Sequence, residues 1–159
     1  MQVRVDQELV ETSRAVKYLG VRLDSKLTFG EQISAVADKA GRVTASLSRL
    51  MNNVGGPVAS KRRLLMSVTH SIILYGCEIW ADALKIACYR KKVAAVQRRG
   101  ALRIASAYRT VSEPAVLVVA GVIPIDLLAF ERKRIYDGNG ALNRSDARVR
   151  SMQDWQRRW

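Results

Sequence analysis

One histidine, His70, stands in this 159-residue chain, inside an apolar run with no serine or cysteine placed around it as a nucleophile motif. It reads as a histidine satisfied within a helix. Asp24, Asp38, Asp82, Asp126 and Asp137 are scattered and form no DD or DxD pair of the kind that positions two Mg²⁺ ions for phosphoryl transfer. No HExxH, P-loop or GxGxxG string occurs. Cys77 and Cys88 lie eleven positions apart without a CxxC, which points to two small buried thiols in a reducing compartment. The expectation is a chain with no catalytic set, no metal site and no cofactor of its own.

Binding chemistry is better represented. On a helical wheel of the third predicted helix, Ile86, Tyr89, Val93, Val96, Gly100 and Ile104 share an arc of roughly 80°, a core-facing stripe. Lys85, Lys91, Lys92, Arg98, Arg99 and Arg103 share a neighbouring arc of roughly 140° with no acid among them. At 1.5 Å per residue they predict a basic ridge about 27 Å long, able to follow several phosphates of a duplex. A second cluster, Lys61-Arg62-Arg63, falls in the first turn of the preceding helix. Cations there oppose the helix dipole by about 0.3–1 kcal/mol each, a placement that a docked anion would relieve.

Composition agrees with that emphasis. Lys and Arg total 27 against 14 Asp and Glu, a net charge of +13. Residues 61–110 hold 11 of the basic side chains and only 2 of the acidic ones. A field concentrated in the middle third attracts a polyanion, chiefly nucleic acid or acidic lipid. With 48% apolar residues there is material for a core. No apolar run reaches the roughly 20 residues of a membrane span, and no basic-then-apolar start resembles a secretory signal. The expected location is nucleus or cytoplasm, not secreted, with no membrane partner.

These residues must be held by something. Val3, Val5, Leu9 and Val10, then Ala15 to Leu23, read as the two strands of one antiparallel hairpin with its turn at residues 11–13. Everything after Phe29 reads as helix, so the fold class is mainly α: an N-terminal β-hairpin, a helical bundle and a helical C-terminal extension. The first helix spans about Gly30 to Asn52, on the stripe Ile33, Val36, Ala40, Val43, Leu47, Leu50 and Met51. The second spans about Pro57 to Tyr75, with Leu65, Val68, Ile72 and Tyr75 on its buried face. The third spans about Ala83 to Ala107. Short helices follow, to about Ala120 and to Tyr136. A final segment puts Val149, Met152, Trp155 and Trp159 on one stripe. That stripe runs to the last residue, which with the lone hairpin predicts a piece cut from a longer protein at both ends.

Four strings resemble one family. Lys17-Tyr18-Leu19-Gly20-Val21 is similar to the strand at the end of a reverse-transcriptase palm, in the hairpin called the primer grip. Tyr75-Gly76-Cys77-Glu78-Ile79-Trp80 is similar to the YGxExW string of the helical region that follows. Residues 107–112, AYRTVS, and 120–125, AGVIPI, match strings of arthropod non-LTR retrotransposon polyproteins. The resemblance implies a palm-end hairpin at 1–24, a thumb at 25–112 and connector helices at 113–159. It makes Lys17, Tyr18, Leu19 and Gly20 primer-grip-like. It adds Arg109 to the nucleic-acid contacts Lys61, Arg62, Arg63, Lys85, Lys91, Lys92, Arg98, Arg99 and Arg103. It also implies that the paired aspartates and their Mg²⁺ belong to parts of the polymerase absent from this chain. The partners would be template–primer duplex and the rest of the polyprotein, and this chain alone would polymerise nothing. An autonomous basic helical nucleic-acid-binding protein is the alternative, and membrane-surface binding through the C-terminal Trp/Arg segment is a third reading. In an autonomous protein Val3, Val5, Tyr18 and Val21 would pack on the helices; in a fragment part of that surface would be exposed.

Overall fold

The computed structural model describes residues 2–5, 8–11, 13–52, 55–138 and 142–158, the first two stretches as backbone alone. Strands β1 (Gln2–Val5) and β2 (Glu8–Glu11) pair antiparallel, and β3 (Ala15–Tyr18) and β4 (Val21–Asp24) form a separate antiparallel pair. Helices α1 (Gly30–Ser48), α2 (Ala59–Ile73), α3 (Cys77–Trp80), α4 (Ala87–Ile104), α5 (Glu113–Ala120), α6 (Ile125–Asp137) and α7 (Arg144–Gln156) follow, with a 3-10 turn at Ala81–Lys85. The expected single hairpin is thus two. The run Ala15 to Leu23 folds on itself at Leu19-Gly20, both at positive φ (46° and 88°), as a two-residue type I′ loop requires.

Asp24 organises the passage from β4 into α1. Its carboxylate accepts the backbone N–H groups of Lys26, Thr28 and Phe29 and the Thr28 hydroxyl. Those bonds, the Thr28 amide first, hold its pKa below the ordinary carboxylate value. One of the scattered aspartates is therefore a loop staple.

Helices α1, α2 and α4 pack against one another as a bundle. Buried Ala37, Ala40 and Gly41 make α1 narrow where α4 crosses it. One core joins Val21, Ile33, Val36, Ile73, Trp80, Leu84, Val93, Val96, Ile125 and Ala129. A second joins Met51, Met66, Ala101, Leu102, Ile104, Val116 and Leu117. The expected boundary at residue 112 therefore falls between helices that share their cores. Among the described residues no single helix is long and apolar enough to cross a membrane.

Two expected helix faces and one cysteine are corrected. Helix α2 buries Arg62, Met66, Thr69 and Ile73, leaving Val68 and Tyr75 exposed and Leu65 and Ile72 half-buried. The inward face is half polar, and Arg62 and Thr69 turn in because their hydrogen-bond partners, Arg103 O and the Thr44 hydroxyl, lie there. Helix α7 buries Ala147 and Ser151, while Val149 and Met152 are exposed and Trp155 is half-buried; Trp159 lies outside the described residues. Small residues bring α7 close to α6, where ion pairs hold it: Arg158 to Asp126 at 2.7 Å, Arg148 to Glu131 at 2.8 Å and Arg134 to Asp154 at 3.4 Å.

The third correction concerns Cys88, which is exposed, whereas Cys77 is buried as expected. Desolvation, reinforced by Glu78, pushes the Cys77 thiol up to about 12. Titrating the native chain with an aromatic disulfide should release one equivalent quickly, and Cys88→Ser should abolish it. Two fast equivalents would show that the Cys77 site is open to solvent.

Candidate nucleic-acid interface

The basic residues predicted as one ridge divide on inspection. Helix α4 begins at Ala87, and Ile86 is extended (φ −75°, ψ 119°), so Lys85 lies in the preceding turn, off the wheel. Its ammonium pairs with Asp82 at 2.8 Å, and Lys133 reaches the same carboxylate at 2.6 Å. The two lysines together hold Asp82 below the ordinary carboxylate range. Lys85 is thereby removed from the ridge, which shortens to Lys91–Arg103, about 18 Å.

Within it Lys91, Lys92 and Arg99 are exposed and Arg98 and Arg103 half-buried. Arg98 is turned to internal use, donating from Nη2 to the carbonyls of Arg109 (2.6 Å) and Val111 (2.7 Å). It ties the 106–112 turn to α4 and displays Tyr108 and Arg109 to solvent. Lys92 donates to the Ser34 hydroxyl at 2.8 Å, and the Arg99 guanidinium lies over Gly41, so both lean onto α1.

The Lys61-Arg62-Arg63 cluster is likewise divided. Arg62 is 4% exposed. It donates to the carbonyls of Pro57 (2.6 Å), Asn52 (2.7 Å) and Arg103 (2.8 Å) and to the Ser106 hydroxyl. Four of its five N–H groups are thus spent inside the protein, and Arg62 leaves the nucleic-acid set. Lys61 and Arg63 are exposed, with Arg63 Nε donating to the Ala120 carbonyl at 2.9 Å.

A groove that the sequence reading missed lies between the β3–β4 hairpin, α1 and α2. Its volume is about 550 Å³. Lys17, Arg22, Lys39 and Arg42 line it over a floor that includes Val36, Ile72 and Tyr75, and among the described residues no acid contributes. Lys17 and Arg22 are cross-strand partners in the hairpin register. Like charges directly opposite each other destabilise a strand pair, so this arrangement suits a bound anion. Primer-grip-like Tyr18, Leu19 and Gly20 are exposed beside it. The signal was present in the sequence: Val-Lys-Tyr and Val-Arg-Leu flank Leu19-Gly20, and a two-residue loop there pairs the two cations.

Groove and ridge border the same helix. On α1, Lys39 and Arg42 face the groove while Ser34 and Gly41 meet Lys92 and Arg99. Among the described side chains no carboxylate lies within 4.0 Å of Lys17, Arg22, Lys39, Arg42, Lys61, Lys91, Lys92, Arg99, Arg103 or Arg109.

His70 adds nothing to that charge. It is half-buried on α2, where it lines an apolar cavity of about 780 Å³, and desolvation lowers its pKa. Its Nε2 lies 3.5 Å from the Gln97 amide nitrogen, and the neighbouring Ser67 hydroxyl is committed to the Leu64 carbonyl at 2.6 Å. The arrangement offers no activated nucleophile.

The body is mainly helical, with a hairpin and a cationic flank made of the groove and the shortened ridge. The chain is 26% identical over 117 residues to the putative 115 kDa protein in type-1 retrotransposable element R1DM of Drosophila melanogaster, covering 73% of this chain and 12% of that protein. It is 24% identical over 170 aligned residues to a retrovirus-related Pol polyprotein from type-1 retrotransposable element R1 of Nasonia vitripennis, covering 92% and 49%. A probable RNA-directed DNA polymerase from transposon BS of Drosophila melanogaster is 29% identical over 84 residues, covering 52% and 9%. The homologues are thus R1 retrotransposon Pol polyproteins and an RNA-directed DNA polymerase of arthropod non-LTR elements, at low identity, as the four strings implied. The chain spans at most about half the length of these relatives. No protein-family model and no solved structure matches it.

Proposed function

We propose that this chain is the thumb and connector of a non-LTR retrotransposon reverse transcriptase, and that it grips the template–primer duplex through backbone phosphates without polymerising. The groove carries the reading: four cations, two of them forced opposite each other in one hairpin, open beside the primer-grip-like turn and join the α4 ridge across α1. Phosphate contacts of this kind supply affinity and register with little base information. The exposure of Val16, Tyr18 and Leu19, with only Val21 of the same hairpin buried, supports a piece whose hairpin has a further neighbour; Val3 and Val5 belong to the stretch described by backbone alone. RNA or RNA–DNA duplex and the rest of a Pol polyprotein are the partners, in nucleus or cytoplasm.

The test is the salt dependence of binding to a labelled RNA–DNA hybrid. The logarithm of affinity should fall linearly with the logarithm of salt, with a slope of several units. Converting Lys91, Lys92, Arg99 and Arg103 to glutamine should flatten that slope and leave helical circular dichroism unchanged. A salt-independent affinity would remove the electrostatic grip.

A further inference from the structure

Two of the strings that carry the family resemblance, 56 residues apart, meet in space. The Tyr75 hydroxyl donates to the Leu19 carbonyl at 3.0 Å. The Tyr75 ring lies so close to Gly20 that a Cβ there would stand 2.9 Å from Cε1. In return, Gly76 (φ +61°) faces Val21, whose Cγ2 would stand 2.9 Å from a Cβ at 76. Each segment thus offers a glycine to the other's side chain. The backbone of Tyr75 is itself anchored, since its carbonyl accepts the indole N–H of buried Trp80 at 3.2 Å.

The turn so held is a strained one. Leu19 has φ 46°, a left-handed conformation that a branched aliphatic residue seldom adopts and that persists only where surroundings enforce it. Lys17 and Arg22 leave the strands one residue before and after the four-residue turn, and Gln32 accepts the Arg22 N–H at 2.8 Å from the α1 side. Tyr75 itself is exposed and lines the groove with them. It therefore sits where a core role would not put it.

We propose that Tyr75 is a positioning residue: it clamps the Leu19–Gly20 turn to the end of α2 and so holds the Lys17–Arg22 pair at the spacing in which both cations meet one nucleic-acid strand. This rests on the nucleic-acid reading above. Without the clamp the like-charged pair has its repulsion to relax by splaying, and the groove loses two phosphate contacts.

The full chain, with a labelled RNA–DNA hybrid and a salt titration, tests this. Tyr75→Ala should weaken binding roughly tenfold and lower the salt slope by about two units, with helical circular dichroism retained. Tyr75→Phe keeps the ring against Gly20 and loses only the hydroxyl bond, so it should fall between alanine and wild type. In a Lys17→Gln/Arg22→Gln background, Tyr75→Ala should cost nothing further, since the groups it positions are gone. An unchanged slope in Tyr75→Ala, additive losses in the double-glutamine background, or a loss of helical signal would each overturn the positioning role while leaving the grip standing. Failure of the wild-type chain to bind the hybrid would instead defeat the nucleic-acid reading and the clamp with it.

Discussion

Replacing Trp80 with alanine should destabilise the chain by about 3–5 kcal/mol, the usual loss for truncating a fully buried aromatic. Trp80 has no exposed surface and belongs to the core shared by α1, α3, α4 and α6. Its indole N–H also closes the α2–α3 junction by donating to Tyr75 O at 3.2 Å, and alanine leaves that carbonyl without its donor. Against a total of about 5–15 kcal/mol for a domain of this size the loss is a large fraction. In a chain of 159 residues it corresponds to a melting temperature lower by on the order of 10 °C. Thermal melts followed by circular dichroism measure it directly. A melting point within a degree or two of wild type would contradict the packing, and Trp80→Phe, which keeps most of the ring, should lose distinctly less.

The second large effect is expected at Arg62, for a different reason. Its guanidinium gathers the carbonyls of Asn52, after α1, Pro57, before α2, and Arg103, in the last turn of α4, together with the Ser106 hydroxyl. Three chain segments are tied at one planar group, and the negative end of α4 offsets part of its charge. Hydrogen bonds to a charged donor contribute about 1.5–3 kcal/mol each, and buried acceptors left unmade cost more than pairs removed together. Arg62→Ala should therefore cost at least about 3 kcal/mol in urea unfolding. Arg62→Lys should recover little, since one ammonium lacks the fork that reaches four acceptors. At a temperature where the variant is still folded its salt slope for nucleic acid should match wild type, whereas Lys61→Gln should lower the slope and leave stability alone. The opposite pattern would return Arg62 to the binding surface.

These two residues also mark what could be read before the fold was known. Trp80 follows a helix-ending glycine and has no basic residue within four positions, so a core role is legible from local chemistry. The start of α1, the extents of α5 and α6, and the inward Val93, Val96, Gly100 and Ile104 of α4 are legible from period alone, while α1 ends at Ser48 rather than Asn52 and leaves Leu50 exposed. Arg62 is not, because a Lys-Arg-Arg string looks the same whether its middle member faces water or four oxygens supplied from positions 52 to 106. The α2 face was illegible for a related reason: its inward side carries Arg62 and Thr69, whose partners on α4 and α1 lie far from them along the chain. The groove was hidden by a register. Placing the hairpin turn at residues 11–13 separates Lys17 from Arg22, while a turn at Leu19-Gly20 sets them face to face.

Helices α2 and α4 each contribute to both cores: Ile73 and Val93 to one, Met66 and Ile104 to the other. They act as two beams fixed at both ends. A displacement of the outer side of α4 between Lys91 and Arg103 is carried by both packed ends at once, so the cationic flank can advance or withdraw only together with the body that bears it.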